Sequence, residues 1–188
     1  MEKQQFLSSY LNDLSDLIKP DKDIIHKLAE VSDILKTVHA EEKKILIFGN
    51  GGSPAIASHF SVDLTKNAGI RSINCNEADL ITCFANDYGF EHWVEKAVDF
   101  YGDEGDLLVV ISSSGSSENM LNGVKAARNG KFNAVVTFTG FAEDNPLGKL
   151  GDINLWVKSN AYNFIENIHQ VWLLAIVDLI IGKTEYPA

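Results

Sequence analysis

The sequence predicts an α/β protein in which a largely parallel β-sheet carries helices on both faces. Short apolar runs typical of buried strands alternate along the chain with longer segments whose apolar residues recur at helical spacing. Two of the predicted strands, residues 45–48 and 106–111, lead directly into turns rich in glycine or serine. In such a fold, ligands bind beyond the carboxyl ends of the strands, which is where both turns lie.

The predicted elements follow one another in a simple order. Two helices, over residues 6–18 and 24–39, precede the first strand because the breaker at residues 19–21 separates two apolar stripes. Further helices are expected over residues 55–66, 77–86, 91–101, 118–128 and 162–181, and further strands over residues 71–75, 134–138 and 153–157. No repeat or linker divides residues 1–188 into separate domains, so we expect a single domain with a helical pair (1–43) and a core (44–182). The helical pair packs either on its own domain or on a neighbouring subunit of a symmetric oligomer.

Composition restricts the function classes. The 16 basic and 26 acidic residues give a formal charge of −10, which disfavours a nucleic-acid surface. No apolar run approaches the length of a membrane span and no signal-peptide pattern begins the chain, so we expect a cytoplasmic protein without a membrane partner. Cys75 and Cys83 are too few for a disulfide framework and are expected to be buried free thiols.

The turn after the first strand has the features of an anion site. Its glycines, Gly51 and Gly52, permit close backbone approach to a ligand, and Asn50 precedes them. Ser53 is expected to cap a helix whose first residue is Pro54. Free N–H groups at this helix terminus would then face a bound anion. The dinucleotide fingerprint would need glycine where Pro54 stands, and the Walker loop would need Gly-Lys-Ser/Thr, so neither motif fits.

The turn after residues 106–111 supplies hydroxyl groups. We call residues 112–117 the hydroxyl loop, because they contain five serines around Gly115 and precede a predicted helix. Serine hydroxyls and backbone amides are the donors that a phosphate monoester needs. A serine hydrolase is disfavoured because no glycine lies two positions before Ser112, Ser113 or Ser114. A solvated turn without a ligand is the alternative for either loop, and the two loops together favour a phosphate ligand.

Several motifs in order resemble a SIS (sugar isomerase) domain, most of all the phosphoheptose isomerases. The motifs are residues 49–53, His59-Phe60, residues 85–90, residues 105–108, the hydroxyl loop and residues 137–140. The resemblance implies a flavodoxin-like three-layer αβα sandwich, a homotetramer, and a sugar phosphate such as sedoheptulose 7-phosphate bound where subunits meet. It places the phosphate on Ser53, Ser112, Ser113, Ser114 and Ser117, with Asn50 and Asp87 near the sugar.

The resemblance also implies a catalytic centre, from which this chain departs. Phosphoheptose isomerases move a proton between adjacent carbons with a carboxylate and a histidine, and they hold a metal, usually zinc. Here the corresponding residues are His59, Asp63 in place of glutamate, Glu166 in place of glutamine, and Leu174 in place of the second histidine. His59, Asp63 and Glu166 remain candidate zinc ligands. Asp63 and His169 are the candidate catalytic groups, His169 as a substitute for the missing histidine, and Leu174 is expected to lie in the core.

Three functions of different classes therefore stay open. The first is a ketose–aldose isomerase acting on a sugar phosphate. The second is a phosphosugar-binding regulatory module without catalysis, which Leu174 favours. The third is a tetrameric assembly protein of the kind that associates with the bacterial replication initiator.

Overall fold

The computed structural model describes residues 2–186 and contains a five-stranded parallel sheet, which confirms the predicted fold class. The strands are β1 (Ile45–Gly49), β2 (Ser72–Ile73), β3 (Leu107–Ser112), β4 (Ala134–Thr139) and β5 (Ile153–Trp156). Their order in the sheet is β2-β1-β3-β4-β5, and every neighbouring pair is parallel. The chain thus turns to one side after β1 and to the other after β2, which makes the β1/β3 crevice the topological switch point where such folds bind ligands.

Eight α-helices flank the sheet within residues 2–186. They are α1 (Lys3–Leu17), α2 (Lys22–Ala40), α3 (Ser53–Lys66), α4 (Ala78–Tyr88), α5 (Trp93–Tyr101), α6 (Glu118–Asn129), α7 (Pro146–Leu150) and α8 (Tyr162–Ile181). One turn of 3-10 helix, Phe90–His92, precedes α5. Helix α7 is not among the predicted helices. Asn145 is its N-cap residue, whose side chain accepts a hydrogen bond from the Gly148 amide, and Pro146 is its first residue.

The sheet is buried on both faces because alternate strand residues enter two separate apolar clusters. Ile45 and Ile47 of β1 pack with α2, α3 and α8, whereas Leu46 and Phe48 pack with α5, α6 and α7. The same alternation continues in β3, where Val109 faces the first cluster. All residues of β1, β3 and β4 are buried, as expected for parallel strands covered on both sides.

Helix α8 is a core helix, although its length and apolar composition alone would suffice to cross a membrane. Its residues Ile165, Ile168, Trp172 and Leu173 are buried in the cluster that it shares with α2 and α3. Seven of its 20 residues are buried, whereas Val171 and Leu179 are exposed.

Helix α1 packs on the domain only along one edge. None of its 15 residues is buried, and Phe6, Leu7 and Leu11 each expose more than half of their accessible surface. Its main aromatic contact is an edge-on approach of Tyr10 to Phe164, with ring centroids 4.6 Å apart. Helix α2 packs on its own domain, where it buries Val31, Leu35 and Val38. Helix α1 leaves an apolar face uncovered, which keeps packing on a neighbouring subunit open for this helix.

The two cysteines differ from the prediction in one respect. Cys75 is buried, and burial raises the pKa of its thiol to about 11. The prediction that Cys83 is buried was wrong, because Cys83 lies on the exposed side of α4, where its thiol is 3.8 Å from the Asp87 carboxylate.

Asp106 joins the amino ends of β1 and β3, at the edge of the sheet opposite the crevice. It is 1% exposed and accepts hydrogen bonds from the Lys44 amide at 3.0 Å, the Lys44 ammonium at 2.6 Å and the Asp103 amide at 2.8 Å. Burial lowers the pKa of Lys44, but the hydrogen bonds to Asp103 and Asp106 outweigh burial and raise it. Asp106 therefore has a structural role, although it belongs to residues 105–108, one of the motifs in the resemblance.

We expect Asp106→Ala to lower the free energy of unfolding by about 3 kcal/mol, because it leaves the Lys44 and Asp103 amides without their acceptor and removes one of the two carboxylates that hold the Lys44 ammonium. Urea denaturation measures this loss. In the matched control, Glu104→Ala, the loss should stay within about 0.5 kcal/mol, since the Glu104 pair with Lys131 is exposed. Equal losses in the two variants would contradict the assignment.

Candidate functional site

The glycine-rich turn between β1 and α3 forms one wall of the crevice. Gly51 has a φ of +66°, a conformation that favours glycine, and both Gly51 and Gly52 are exposed. Ser53 is 2% exposed and is the first residue of α3. The prediction that Ser53 caps the helix was wrong, because Gly52 is the capping residue and no side chain caps this end. The turn can thus offer backbone amides and the Ser53 hydroxyl to an anion.

The hydroxyl loop between β3 and α6 forms the other wall. Ser117 is the capping residue of α6, and Ser114 and Ser117 are both half-buried. Ser112 and Ser113 are more deeply placed, at 6% exposure each, and no described residue makes a hydrogen bond with the Ser113 hydroxyl. The structure therefore brings all the predicted phosphate contacts to one crevice, with Ser114 and Ser117 the more accessible of them.

A reciprocal amide pair ties the two walls together. The Asn50 side chain donates to Asn119 and accepts from it, at 2.9 Å in both directions. Asn119, in the first turn of α6, is 2% exposed. Two partly buried hydrogen bonds fix the separation of the loops before any ligand arrives. Asn50, predicted to lie near the sugar, thus also positions the loops, and Asn119 is a site residue that the sequence did not reveal.

Asn145 packs against the hydroxyl loop and holds it in place. It is 3% exposed and donates to the Thr139 hydroxyl at 3.1 Å and to the Ala142 carbonyl at 2.8 Å. Its side chain lies against Gly115, whose φ is +63°, so that a methyl group on Gly115 would overlap the Asn145 amide. The loop carbonyls of Ser113 and Gly115 accept hydrogen bonds from the Gly140 and Leu147 amides. The loop is thereby held in one conformation by β4 and α7.

Helices α3 and α8 carry a second group of polar side chains beside the turn. Gln170 donates to Nδ1 of His59 at 2.9 Å, and Nε2 of His59 lies 3.4 Å from the Asp63 carboxylate. The other Asp63 oxygen accepts from Asn67 at 3.1 Å. His59 and Asp63 thus meet as their spacing predicted, and Gln170 is a further partner that the sequence analysis missed.

Glu166 lies directly beside the glycine-rich turn. Its carboxylate packs against Gly52, where a side chain would overlap both oxygens. Leu174 is half-buried on the face of α8 that Glu166 and Gln170 share, because these three residues are four positions apart. The prediction that Leu174 is a core residue was therefore wrong.

Known proteins of one family match this chain over most of its length. Residues 5–140 match the family model described as SIS domain. A phosphoheptose isomerase of Fusobacterium nucleatum is 34% identical over 157 residues, which are 79% of this chain and 78% of that protein. Another, from Cytophaga hutchinsonii, is 33% identical and covers 89% of this chain and 88% of its own. The chain is a SIS-domain protein of the phosphoheptose isomerase family. A solved structure of a phosphoheptose isomerase from Francisella tularensis, 26% identical, superposes with a TM-score of 0.87 over 97% of this chain and 100% of that one.

In this SIS domain, His169 does not have the catalytic placement predicted for it. The ring is completely buried between Phe138 and Trp172, and its Nε2 pairs with the Thr139 carbonyl at 3.1 Å. Burial lowers the pKa of His169 to about 4, which keeps the imidazole neutral at neutral pH. A side chain without access to solvent cannot exchange protons with a sugar in the crevice, so the assignment of His169 as a catalytic residue is corrected to a core residue.

The burial of His169 predicts a loss of stability in acid. The unfolded chain takes up this proton near pH 6.5 and the folded chain only near pH 4, so stability is complete above pH 6.5 and falls as the pH decreases between these values. Between pH 7 and pH 5, protonation of His169 in the unfolded chain should lower the free energy of unfolding by about 2 kcal/mol. Urea denaturation at the two pH values should show a smaller decrease for His169→Gln. The exposed control His39→Gln should show the same decrease as the unmodified protein. An unchanged difference in His169→Gln would refute this prediction.

Asp87 is exposed near the end of α4 in this SIS domain, and its carboxylate interacts with Asn86 and Cys83 of the same helix. Its contact with the sugar stays a prediction.

The predicted zinc ligands do not converge in the structure. His59 and Asp63 are adjacent, but Glu166 packs on Gly52 and Leu174 occupies the fourth family position. Within residues 2–186, no three His, Cys, Asp or Glu side chains are grouped so that they could hold a metal ion. The residues present do not fit the zinc centre that the resemblance implied.

Proposed function

We propose that this protein isomerises a sugar phosphate between its ketose and aldose forms, with the phosphoryl group bound in the β1/β3 crevice. One observation carries the proposal. The glycine-rich turn and the hydroxyl loop each join a parallel strand to a helix, and the Asn50–Asn119 pair holds them together at the switch point of the sheet. The names of the relatives, phosphoheptose isomerases, support the reaction class.

Local donors, not the overall charge, would bind the phosphoryl group. The chain has a formal charge of −10, so its long-range field repels an anion. The amino termini of α3 and α6 both open onto the crevice and present partial positive charge to it. Hydroxyls of Ser53, Ser114 and Ser117 add hydrogen bonds without an ionised side chain. This arrangement suits a small phosphorylated ligand and not a polyanion.

The first substrate to test is sedoheptulose 7-phosphate, since the relatives are named for a phosphorylated heptose. We further propose a cytoplasmic homotetramer. Apolar side chains exposed on α1 support assembly, as do Val62 on α3 and Val171 and Leu179 on α8. Analytical ultracentrifugation should give four times the chain mass of 20.7 kDa, and a monomer at micromolar concentration would argue against assembly.

An NMR assay of sedoheptulose 7-phosphate, followed by a panel of ketose and aldose phosphates, tests the reaction. We expect slow conversion of a ketose phosphate to its aldose isomer by the intact protein. Calorimetry on the same panel separates the alternatives. Binding without turnover would favour a regulatory phosphosugar-binding module, and neither binding nor turnover would favour an assembly protein.

A further inference from the structure

We propose that Glu166 is the carboxylate that transfers the proton in this isomerisation, in a reaction that requires no metal. This inference rests on the proposed function. It starts from the position of the Glu166 side chain, whose two oxygens pack against Gly52 at the exposed surface of the glycine-rich turn. A carboxylate placed there faces the same turn that would hold the substrate.

The other candidate proton carriers in the site are less suitably placed. The Asp63 carboxylate is held along α3 by Asn67 and His59. His169 is completely buried. Leu174, at the family position of a histidine, has no group that accepts a proton. Glu166 is thus the acid–base group of α8 that lies beside the predicted phosphate cradle.

The identity of residue 166 matters chemically. The resemblance places a glutamine at this position, and a glutamine amide is not a base that can take a proton from carbon. Glu166 supplies a base in a chain that lacks the family's histidine at residue 174. The loss at Leu174 and the carboxylate at Glu166 occur on one face of α8 and together change the kind of chemistry that the site supports.

The proposed reaction balances with this single carboxylate. For an aldose phosphate, Glu166 takes the proton from C2, the C2–H electron pair forms the C1=C2 double bond, and the carbonyl oxygen O1 becomes an enediolate oxygen. The protonated carboxyl then returns the proton to C1 on the same face, while the O2 hydroxyl proton passes to O1 and the C2 carbonyl forms. No redox partner is consumed. The positive end of α3 stabilises the negative charge that develops on the oxygens.

The charge of Glu166 also predicts a separation of binding from catalysis. A carboxylate beside a phosphoryl group weakens ground-state binding, so its removal should leave the KM unchanged or lower it. Removal of a general base typically lowers kcat by about 100-fold to 10,000-fold. A residue that only supported the turn would instead alter KM or stability.

The test compares the intact protein with Glu166→Gln, which is nearly isosteric, and Glu166→Asp. Proteins are treated with a chelator and assayed by NMR in D2O, so that turnover and uptake of deuterium at C1 or C2 are recorded together. Glu166→Gln should lose at least about 100-fold in kcat and lose deuterium uptake, with KM changed by less than about 3-fold. Glu166→Asp should recover part of the activity, because it keeps the carboxylate. Thermal denaturation confirms that each variant is folded.

Glu104→Gln is the matched control, since Glu104 is an exposed carboxylate just before β3, at the edge of the sheet opposite the crevice. Its kcat should stay within about 2-fold of the intact protein, because it removes a charge remote from the substrate. Retention of kcat and deuterium uptake in Glu166→Gln overturns the inference while leaving the proposed function standing. The inference is also overturned if Glu166→Gln is active only when zinc is added. Absence of turnover in the intact protein overturns both.

Discussion

Replacement of Ser117 by aspartate is expected to weaken sugar phosphate binding by at least about 100-fold, or about 2.7 kcal/mol, while the protein stays folded. Ser117 occupies the N-cap position of α6 without a side-chain hydrogen bond to the helix, and aspartate is as favourable at that position as serine. The added carboxylate would lie at the amino terminus of α6, whose partial positive charge is expected to attract the phosphoryl group, and would repel that group. Calorimetry with a ketose phosphate measures the loss, and thermal denaturation measures the fold.

Ser117→Asn provides the matched control for this prediction. Asparagine also caps helices well and carries no charge, so its effect on affinity should be less than about 10-fold. If Ser117→Asp bound the sugar phosphate as tightly as Ser117→Asn, the phosphoryl group would have to lie elsewhere, and the assignment of the crevice would fail.

Gly115→Ala is expected to lower the free energy of unfolding by about 3 kcal/mol, the second of the large effects. A left-handed conformation costs an alanine about 1–2 kcal/mol, and its methyl group would also overlap the buried Asn145 side chain. Because Asn145 bonds to Thr139 and caps α7, the displacement would disturb the whole hydroxyl loop. Urea denaturation reports the stability, and affinity for a sugar phosphate should fall at the same time.

Gly69→Ala isolates the cost of backbone conformation alone. Gly69 has a φ of +71°, similar to that of Gly115, but no atom lies within 4 Å of an added methyl group. The loss there should be about 1 kcal/mol, with no change in affinity. Similar losses at the two glycines would show that Asn145 does not support the loop as described.

Local patterns predicted the elements that depend on neighbours in sequence. The final predicted helix, residues 162–181, agrees with α8, Tyr162–Ile181. Its apolar spacing indicates the length of the helix, and the glycine that follows indicates where it ends. The glycine-rich turn and the hydroxyl loop were recognised for the same reason. Each loop follows a strand directly, so its place at the carboxyl edge follows from the parallel sheet.

The missed features depend on residues far apart in the chain. Asn119 is a site residue because it meets Asn50, 69 positions earlier, and nothing in its own neighbourhood indicates that pairing. Asn145 supports Gly115 in the same way. Glu166 was considered only as a metal ligand, since sequence spacing gives the face of α8 but not its distance from Gly52. His169 was expected near the substrate because its helical position does not reveal that it faces the core.

The phosphoryl group of a sugar phosphate is expected to bind in the β1/β3 crevice. An NMR titration of the 15N-labelled 20.7 kDa chain with sedoheptulose 7-phosphate tests this binding site. We predict saturable shifts of the amides of Gly51, Gly52, Ser114 and Ser117, which non-phosphorylated sedoheptulose does not reproduce. The absence of shifts at these amides at millimolar sugar phosphate, or shifts confined to another surface, would contradict the account.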